Sequence, residues 1–320
     1  MTARDVAIDV SDAVGVPAQL AGSVYRPTAQ PSGVVLVGVP GGTSNRRYFD
    51  LALPDGGYSF AAHVTARGHT FVAFDNLGTG ASSQPDAEVG LAMQGDALAA
   101  ALGAVPECAG QRLVAVAHSM GGYSTLLQQA AHRTFDAVAI CGTTNQWVAP
   151  LDFGSYNDEG PSTLQLLVEE ASAGPEARQA IADRISMGFP ERYFVPDRGP
   201  MAHWSNLPDV PDAVVAAAQE QTLTYVPRRC AAESTVPGIT ADAAARVDVP
   251  VLLAYGEVDV SPDPHREPTY YRSCRDLTLL VVAGSAHCHN YSAVRVAFWN
   301  RLLAWIDASI APTTTDATRT

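Results

Sequence analysis

Basic residues are scarce in this sequence: Lys plus Arg number 20 against 33 Asp plus Glu, a formal net charge of −13. A field of that sign repels phosphate backbones and anionic lipid, so neither nucleic acid nor a membrane surface is expected as a partner. Long apolar runs are missing as well. The most apolar stretches, residues 34–39 and 277–283, fall far short of the roughly 20 residues that span a bilayer. Residues 1–10 mix charge with apolar side chains and hold no secretion-type apolar core. The five cysteines (Cys108, Cys141, Cys230, Cys274, Cys288) are odd in number and scattered, with no C-x-x-C pair. That pattern reads as reduced thiols and excludes a disulfide framework. The expectation is a soluble, cytoplasmic protein; a homo-oligomer is left open.

What is present is enough apolar residue to build a large core. Apolar residues make up 47% and charged residues 17%, the latter below the roughly 25% of an average soluble protein. A length of 320 residues suits about two domains, or one α/β domain of about 220 residues carrying a large insertion. Short β-rich runs alternate with helical ones, the pattern of a largely parallel sheet covered by helices. Residues 6–10 and 19–25 read as an opening hairpin. Residues 34–39, 71–74, 113–117, 137–140, 251–255 and 279–282 read as buried strands. Helices are expected over 59–66, 123–132 and 292–307, the last with Val294, Phe298, Leu302 and Trp305 on one face.

Roughly 100 residues separate the strand ending near Ile140 from the one starting near Val251, too many for a plain crossover. Ser162 and Gln165 form a capping-box start, and Leu164, Leu167, Val168 and Ala171 make one stripe. Pro175 suits a first helical turn leading to Ile181 and Ile185, and Pro211 another helix through Ala218. We therefore read a helical insertion, 145–244, resting on a core of 1–144 and 245–310. The polar, Thr-rich tail 311–320 is expected to be disordered.

The chemistry concentrates at the ends of the predicted strands. Ala117-His118-Ser119-Met120-Gly121-Gly122 lies between an apolar strand and a helix, where a tight turn would lift the serine hydroxyl above the sheet. Ala117 and Gly121 are small, as such a crowded turn requires. The helix beginning after Ser119 would also present the Met120 N–H to a developing oxyanion. A serine needs a base, and the base an orienter. His287, in Gly284-Ser285-Ala286-His287 after a strand, is the first choice, with His289 its rival; His118 is read as packing. A metal held by His287 and His289 around Cys288 would need a second ligand cluster, and none is evident, so no metal or cofactor is expected. Asp259, after the strand 251–255, is the orienter ahead of Glu257 and Asp263. In Pro40-Gly41-Gly42-Thr43, Gly42 N–H is the second oxyanion donor, and Thr43 adds a hydroxyl. Asp75-Asn76-Leu77-Gly78-Thr79-Gly80 lacks the third glycine of a dinucleotide loop.

The chain order Ser119, Asp259, His287 is that of α/β-hydrolases. From about Leu36 to Ile306 the sequence resembles this superfamily: the elbow, the Pro40–Thr43 loop, the Asp75–Ser82 turn, Gly256–Asp259 and Gly284–His287 fall in family order. Ala117 stands where the elbow usually has its first glycine, and Pro40 where a His often precedes the oxyanion glycines. The resemblance implies the α/β-hydrolase fold, a mostly parallel eight-stranded sheet with helices on both faces and a helical cap inserted after strand 6. It also implies a serine enzyme acting through an acyl-enzyme. The insertion is rich in large side chains, Trp147 and Trp204 first among those expected to line a pocket. Arg46 and Arg47 are the nearest cations to the oxyanion loop. The expected substrate is an uncharged or weakly polar small-molecule ester or lactone; a carrier-bound thioester and a low-turnover ligand receptor are the competing readings.

Overall fold

A computed structural model of the chain describes residues 3–151 and 162–310. The tail 311–320 and two of the large side chains of the insertion, Phe153 and Tyr156, lie outside the described residues. An eight-stranded sheet forms the frame: β1 (Ala3–Asp9), β2 (Gln19–Tyr25), β3 (Val34–Val39), β4 (Thr70–Phe74), β5 (Arg112–His118), β6 (Ala137–Cys141), β7 (Val251–Val258) and β8 (Leu277–Ala286). Across the sheet the order is β1-β2-β4-β3-β5-β6-β7-β8. The β1/β2 and β2/β4 pairs are antiparallel, and every later pairing is parallel.

Both faces of this sheet are covered, which is why its central strands read as unbroken apolar runs. On one face Val35, Val37, Val39, Ala115, Ala117, Val138, Ile140 and Leu253 pack with residues of α2 (Leu91–Ala104) and α3 (Met120–His132). On the other, Val34, Leu36, Val114, Val116, Ala139 and Leu252 meet α1 (Phe60–Thr65) and α8 (Arg295–Ser309). Ser59 starts α1 by accepting a hydrogen bond from Ala62 N–H at 3.0 Å. Along α8, Phe298 and Leu302 are buried and Val294 and Trp305 pack at the edge of the same core. The helix α2 has no counterpart in the sequence reading. It is built largely of alanine and carries Gln94 and Gly95 on its buried side, so its inward face shows no run of large apolar residues.

Between β6 and β7 the described residues form α4 (Thr163–Ser172), α5 (Pro175–Ser186), α6 (Asp212–Thr222) and α7 (Arg228–Thr235). The Ser162/Gln165 capping box opens α4, with both reciprocal bonds made. Leu167, Ala171, Ile181 and Val236 form a small core of their own. Elsewhere the segment shares the main cores: Val214 and Ala218 of α6 join one and Val226 and Cys230 the other. A two-residue antiparallel pair, Tyr193–Phe194 with Val226–Pro227, ties the segment to itself.

Close packing of α3 onto the end of β3 depends on Gly121. A Cβ there would lie 2.5 Å from the Val39 carbonyl oxygen and 2.6 Å from that of Pro40. These are backbone atoms of the buried end of β3 and of buried Pro40 just beyond it, and cannot give way cheaply. Gly121→Ala is expected to lower stability by about 1–3 kcal/mol, as overpacking does. Urea unfolding checks this; an unchanged midpoint and slope would contradict the packing described.

Candidate active site

In a parallel sheet all carboxyl ends point the same way, so residues just past adjacent strands gather at one edge. Here Gly41 and Gly42 follow β3, Ser119 follows β5, Gly142 and Thr143 follow β6, Asp259 follows β7 and His287 follows β8. The strand β8 runs further than its apolar core suggests. It reaches Ala286 through a register shift after Val282, so Gly284 and Ser285 lie within the strand and His287 comes directly off its end.

Ser119 occupies a strained backbone conformation, φ 54° and ψ −124°. Such conformations cost about 1–3 kcal/mol and persist only where the surroundings enforce them. They are enforced here from both ends. Ser119 N–H donates to the Cys141 carbonyl at 2.8 Å, and the Ser119 carbonyl accepts from Thr143 Oγ1 at 2.8 Å. The residue stays partly exposed. The chain then enters α3, whose first N–H, that of Met120, has no carbonyl one turn earlier to bond.

His287 Nδ1 lies 2.6 Å from Asp259 Oδ1, with both side chains almost wholly buried, 6% and 1% exposed. Asp259 also accepts from Gly256 N–H at 2.8 Å and Val260 N–H at 2.7 Å. With Nδ1–H donated to the carboxylate, Nε2 is the ring's acceptor. Burial alone would raise the Asp259 pKa, but the charge and hydrogen bond of His287, with the Gly256 N–H, outweigh it and hold the carboxyl at about 2. Gly142 makes room for the pair: its φ is +62°, and a Cβ on it would sit 2.8 Å from His287 Nδ1. The 141–143 turn thus touches Ser119 on one side and the Asp259–His287 pair on the other. Sequence reading passed over Gly142.

The other histidines are sorted by the same geometry. His289 brings Nε2 to 3.4 Å from Asp259 Oδ2, yet neither ring nitrogen makes an aligned hydrogen bond among the described residues. Burial pulls its pKa down to about 4. His118, expected only to pack, stacks on Tyr48 at 4.4 Å and also ties down His287: its Nε2 lies 2.9 Å from the His287 carbonyl oxygen, to which it donates. Burial and the neighbouring imidazoles hold its pKa well below the ordinary value. Glu257, the weaker carboxylate, is exposed and accepts from Gly284 N–H; Asp263 is exposed and caps His265 N–H. Despite three histidines and a carboxylate in one place, the described residues hold no cluster disposed to bind a metal ion.

The loop after β3 closes over Ser119. A Cβ on Gly41 would be 3.0 Å from Ser119 Cβ, and one on Gly42 2.9 Å from Met120 Sδ. Neither Gly42 N–H nor Met120 N–H has an acceptor among the described residues. Pro40 is anchored through its carbonyl, which accepts from Asn76 Nδ2 at 3.1 Å. Asn76 begins the 76–82 turn, itself organised by the fully buried Asp75, which accepts from Arg46 N–H, Ala81 N–H and the Arg46 guanidinium.

Arg46 and Arg47 are therefore not free cations beside the loop. Arg46 pairs with Asp75 and Arg47 with Asp50. The guanidinium that does reach the loop is Arg198, from the insertion, bonded to Thr43 and Ser44; nothing in its sequence neighbourhood announces this. A second unannounced group is Glu267, fully buried. It accepts from Thr144 Oγ1, Asn145 N–H, Gln146 Nε2 and Ser261 Oγ at 2.5–2.9 Å, tying the loop after β6 to the loop after β7. Of the two tryptophans, Trp204 stands against His287. Its ring meets that of His287 edge-on at 4.9 Å, and its carbonyl accepts His287 N–H at 3.2 Å. Trp147 is half-buried beyond Gln146.

The model of an alpha/beta hydrolase family matches residues 34–297. No curated protein sequence matches. Among solved structures, a soluble variant of monoglyceride lipase from Saccharomyces cerevisiae aligns with a TM-score of 0.67 at 16% identity, covering 98% of this chain and 97% of its own. A thermostable carboxyl esterase from Bacillus coagulans aligns at 0.64 and 16% identity, covering 97% and 100%. E-2-(acetamidomethylene)succinate hydrolase aligns at 0.57 and 18% identity, covering 96% and 100%. At these identities the likeness is one of fold. The family match spans most of the chain, and the protein belongs to the alpha/beta hydrolase family.

Proposed function

We propose that the protein is a serine hydrolase that cleaves the carboxylic ester or lactone of a moderately large apolar small molecule through an acyl-enzyme. The observation that carries this reading is the 2.6 Å bond between buried Asp259 and His287, set beside the strained turn at Ser119. In the proposed reaction His287 Nε2 takes the Ser119 hydroxyl proton as Oγ attacks the ester carbonyl. Asp259 stabilises the imidazolium and fixes its tautomer. Gly42 and Met120 N–H groups receive the negative oxygen of the tetrahedral intermediate, an interaction worth more in that state than in the substrate. The alcohol departs with the proton from His287. Water, deprotonated by the same imidazole, then attacks the acyl carbon, and Ser119 Oγ leaves with that proton as the acid is released.

The insertion acts as a cap that selects substrates, with Trp204 as its wall nearest the base. Apolar contacts discriminate weakly, about 1–3 kcal/mol per methylene-sized change. Assignment of the base to His287 over His289 follows from bonding: His287 is aligned on Asp259, whereas His289 is a buried neutral group behind the carboxylate.

Ser119→Ala is expected to lower turnover of p-nitrophenyl esters by about 10⁴–10⁶-fold with folding unchanged; hydrolysis near the wild-type rate would overturn the assignment. Trp204→Ala is expected to shift preference between long- and short-chain aryl esters by roughly 10- to 200-fold. Equal losses on both, measured as kcat/KM across a chain-length series, would mean that Trp204 only supports the fold. His289 gives a pH prediction. Its pKa is 6.5 in the unfolded chain and about 4 when folded, so below pH 6.5 the unfolded state binds the extra proton. Stability is then lost as pH falls from 6.5 to about 4, by roughly 3 kcal/mol from this residue. His289→Leu should flatten that part of the profile in urea titrations; an unchanged slope would show that the ring is not held neutral.

A further inference from the structure

One side chain grips the oxyanion loop and has no part in the mechanism above. Arg198 is half-buried in the insertion, between the Tyr193–Phe194 strand and the turn at Gly199–Met201. Its Nε donates to Thr43 Oγ1 at 3.2 Å. Nη1 donates to the Ala218 carbonyl at 3.3 Å and to Thr222 Oγ1 at 3.1 Å. Nη2 donates to the Thr43 carbonyl, to Ser44 Oγ at 3.0 Å and to Thr222 Oγ1 at 3.1 Å. One planar fork therefore spans two pieces of chain, the loop after β3 and the last turn of α6.

Burial without an acid is what sets this arginine apart. Five of the other arginines between β6 and β7 pair with carboxylates: Arg178 with Asp242, Arg184 with Glu170, Arg192 with Asp86, Arg228 with Glu88 and Arg229 with Asp183 and Glu233; the sixth, Arg246, is exposed to water. Among the described residues Arg198 has only neutral oxygens. Withdrawing a guanidinium from water without a counter-ion is costly, and burial disfavours its charged form. Part of the offset comes from the carbonyl end of α6, where a cation is favoured. The remainder of the geometry is specific. Five N–H groups in a rigid fork can saturate hydroxyls and carbonyls on both sides at once, which a lysine cannot do. Backbone pairing continues the same seam: Asn45 N–H donates to the Thr222 carbonyl at 3.0 Å, Asn45 Nδ2 to that of Gln221 at 3.0 Å, and Ser44 bridges to Leu223.

We propose that Arg198 is a positioning residue for the oxyanion hole: by locking Thr43 and Ser44 to the end of α6 it fixes the direction of Gly42 N–H, one residue upstream. This rests on the hydrolase reading of Ser119, Asp259 and His287. The insertion then does more than cover the pocket, because the hole is complete only when α6 and Arg198 are docked. A misplacement of about 1 Å in such a group can cost on the order of 10²-fold in rate, and the loss falls on the transition state.

The test is steady-state hydrolysis of p-nitrophenyl acetate, with binding of an aryl boronate as a mimic of the tetrahedral state. Wild-type turnover that vanishes in Ser119→Ala establishes the hydrolase reading; no turnover, or turnover kept in Ser119→Ala, sinks that reading, whatever Arg198 does. Given it, Arg198→Met is expected to lower kcat by about 10- to 100-fold with KM within about threefold, and to weaken boronate binding in parallel. Arg198→Lys should lose nearly as much, since it keeps the charge and loses the fork. Added guanidinium should restore several-fold of the activity of Arg198→Ala, and ammonium should not. If these variants do not fold, Thr222→Val decides, because it removes the hydroxyl shared by both arms and should lower kcat with KM kept. Unchanged kcat, a loss confined to KM, unchanged boronate affinity, or full activity in Arg198→Lys would each overturn the proposal.

Discussion

A charged carboxylate buried beside an imidazole is the constraint on which the rest of this structure turns. Asp259, 1% exposed, must find donors for both oxygens or give up its charge. It finds the backbone N–H groups of Gly256 and Val260 and the Nδ1–H of His287. The bond to His287 requires that two residues far apart in sequence emerge side by side, which the parallel pairing of β7 and β8 provides. It also requires an empty space at Gly142, a fixed carbonyl at His287 and a closed wall at Trp204. The first is met by a glycine with positive φ, the second by His118, and the third by the packed indole.

The frame was legible in the sequence for a physical reason. Strands buried on both faces are written as short apolar runs, and residues that end such runs lie at one edge of a parallel sheet. Ser119, Asp259 and His287 could therefore be read off from the strands they follow. Ser162 and Gln165 were legible because a capping box is local chemistry. What stayed hidden depends on contacts between distant segments. Nothing in the polar stretch around Glu267 indicates a fully buried carboxylate with four donors. Arg46 and Arg47 adjoin the loop after β3 in sequence, yet their charges are spent on Asp75 and Asp50, while Arg198 arrives from more than a hundred residues away. Trp147 follows β6 more closely than Trp204 does, but Trp204 is the one against His287. Proximity along the chain misleads wherever an insertion folds back over the sheet.

In the proposed reaction that folding back would link two tasks usually assigned to separate parts of such a molecule. The segment between β6 and β7 carries Trp204 to His287 and Arg198 to the loop after β3, and the end of α6 with the following Leu223 pairs with the chain at Ser44 and Asn45. Its helices contribute to both main cores as well as to a small core of their own. In the reaction we propose, selection of substrate and completion of the site would rest on the same packed elements, and substitutions in the insertion should be read for their effect on rate as well as on specificity.

The central claim is that Ser119 is a nucleophile activated by the Asp259–His287 pair. Reaction with a fluorophosphonate, followed by peptide mapping, tests it most directly, because the reagent reports an activated serine whatever the substrate. The account predicts a single covalent adduct, on Ser119, formed far more slowly in His287→Gln. No adduct, an adduct on another residue, or an equal rate in His287→Gln would contradict it.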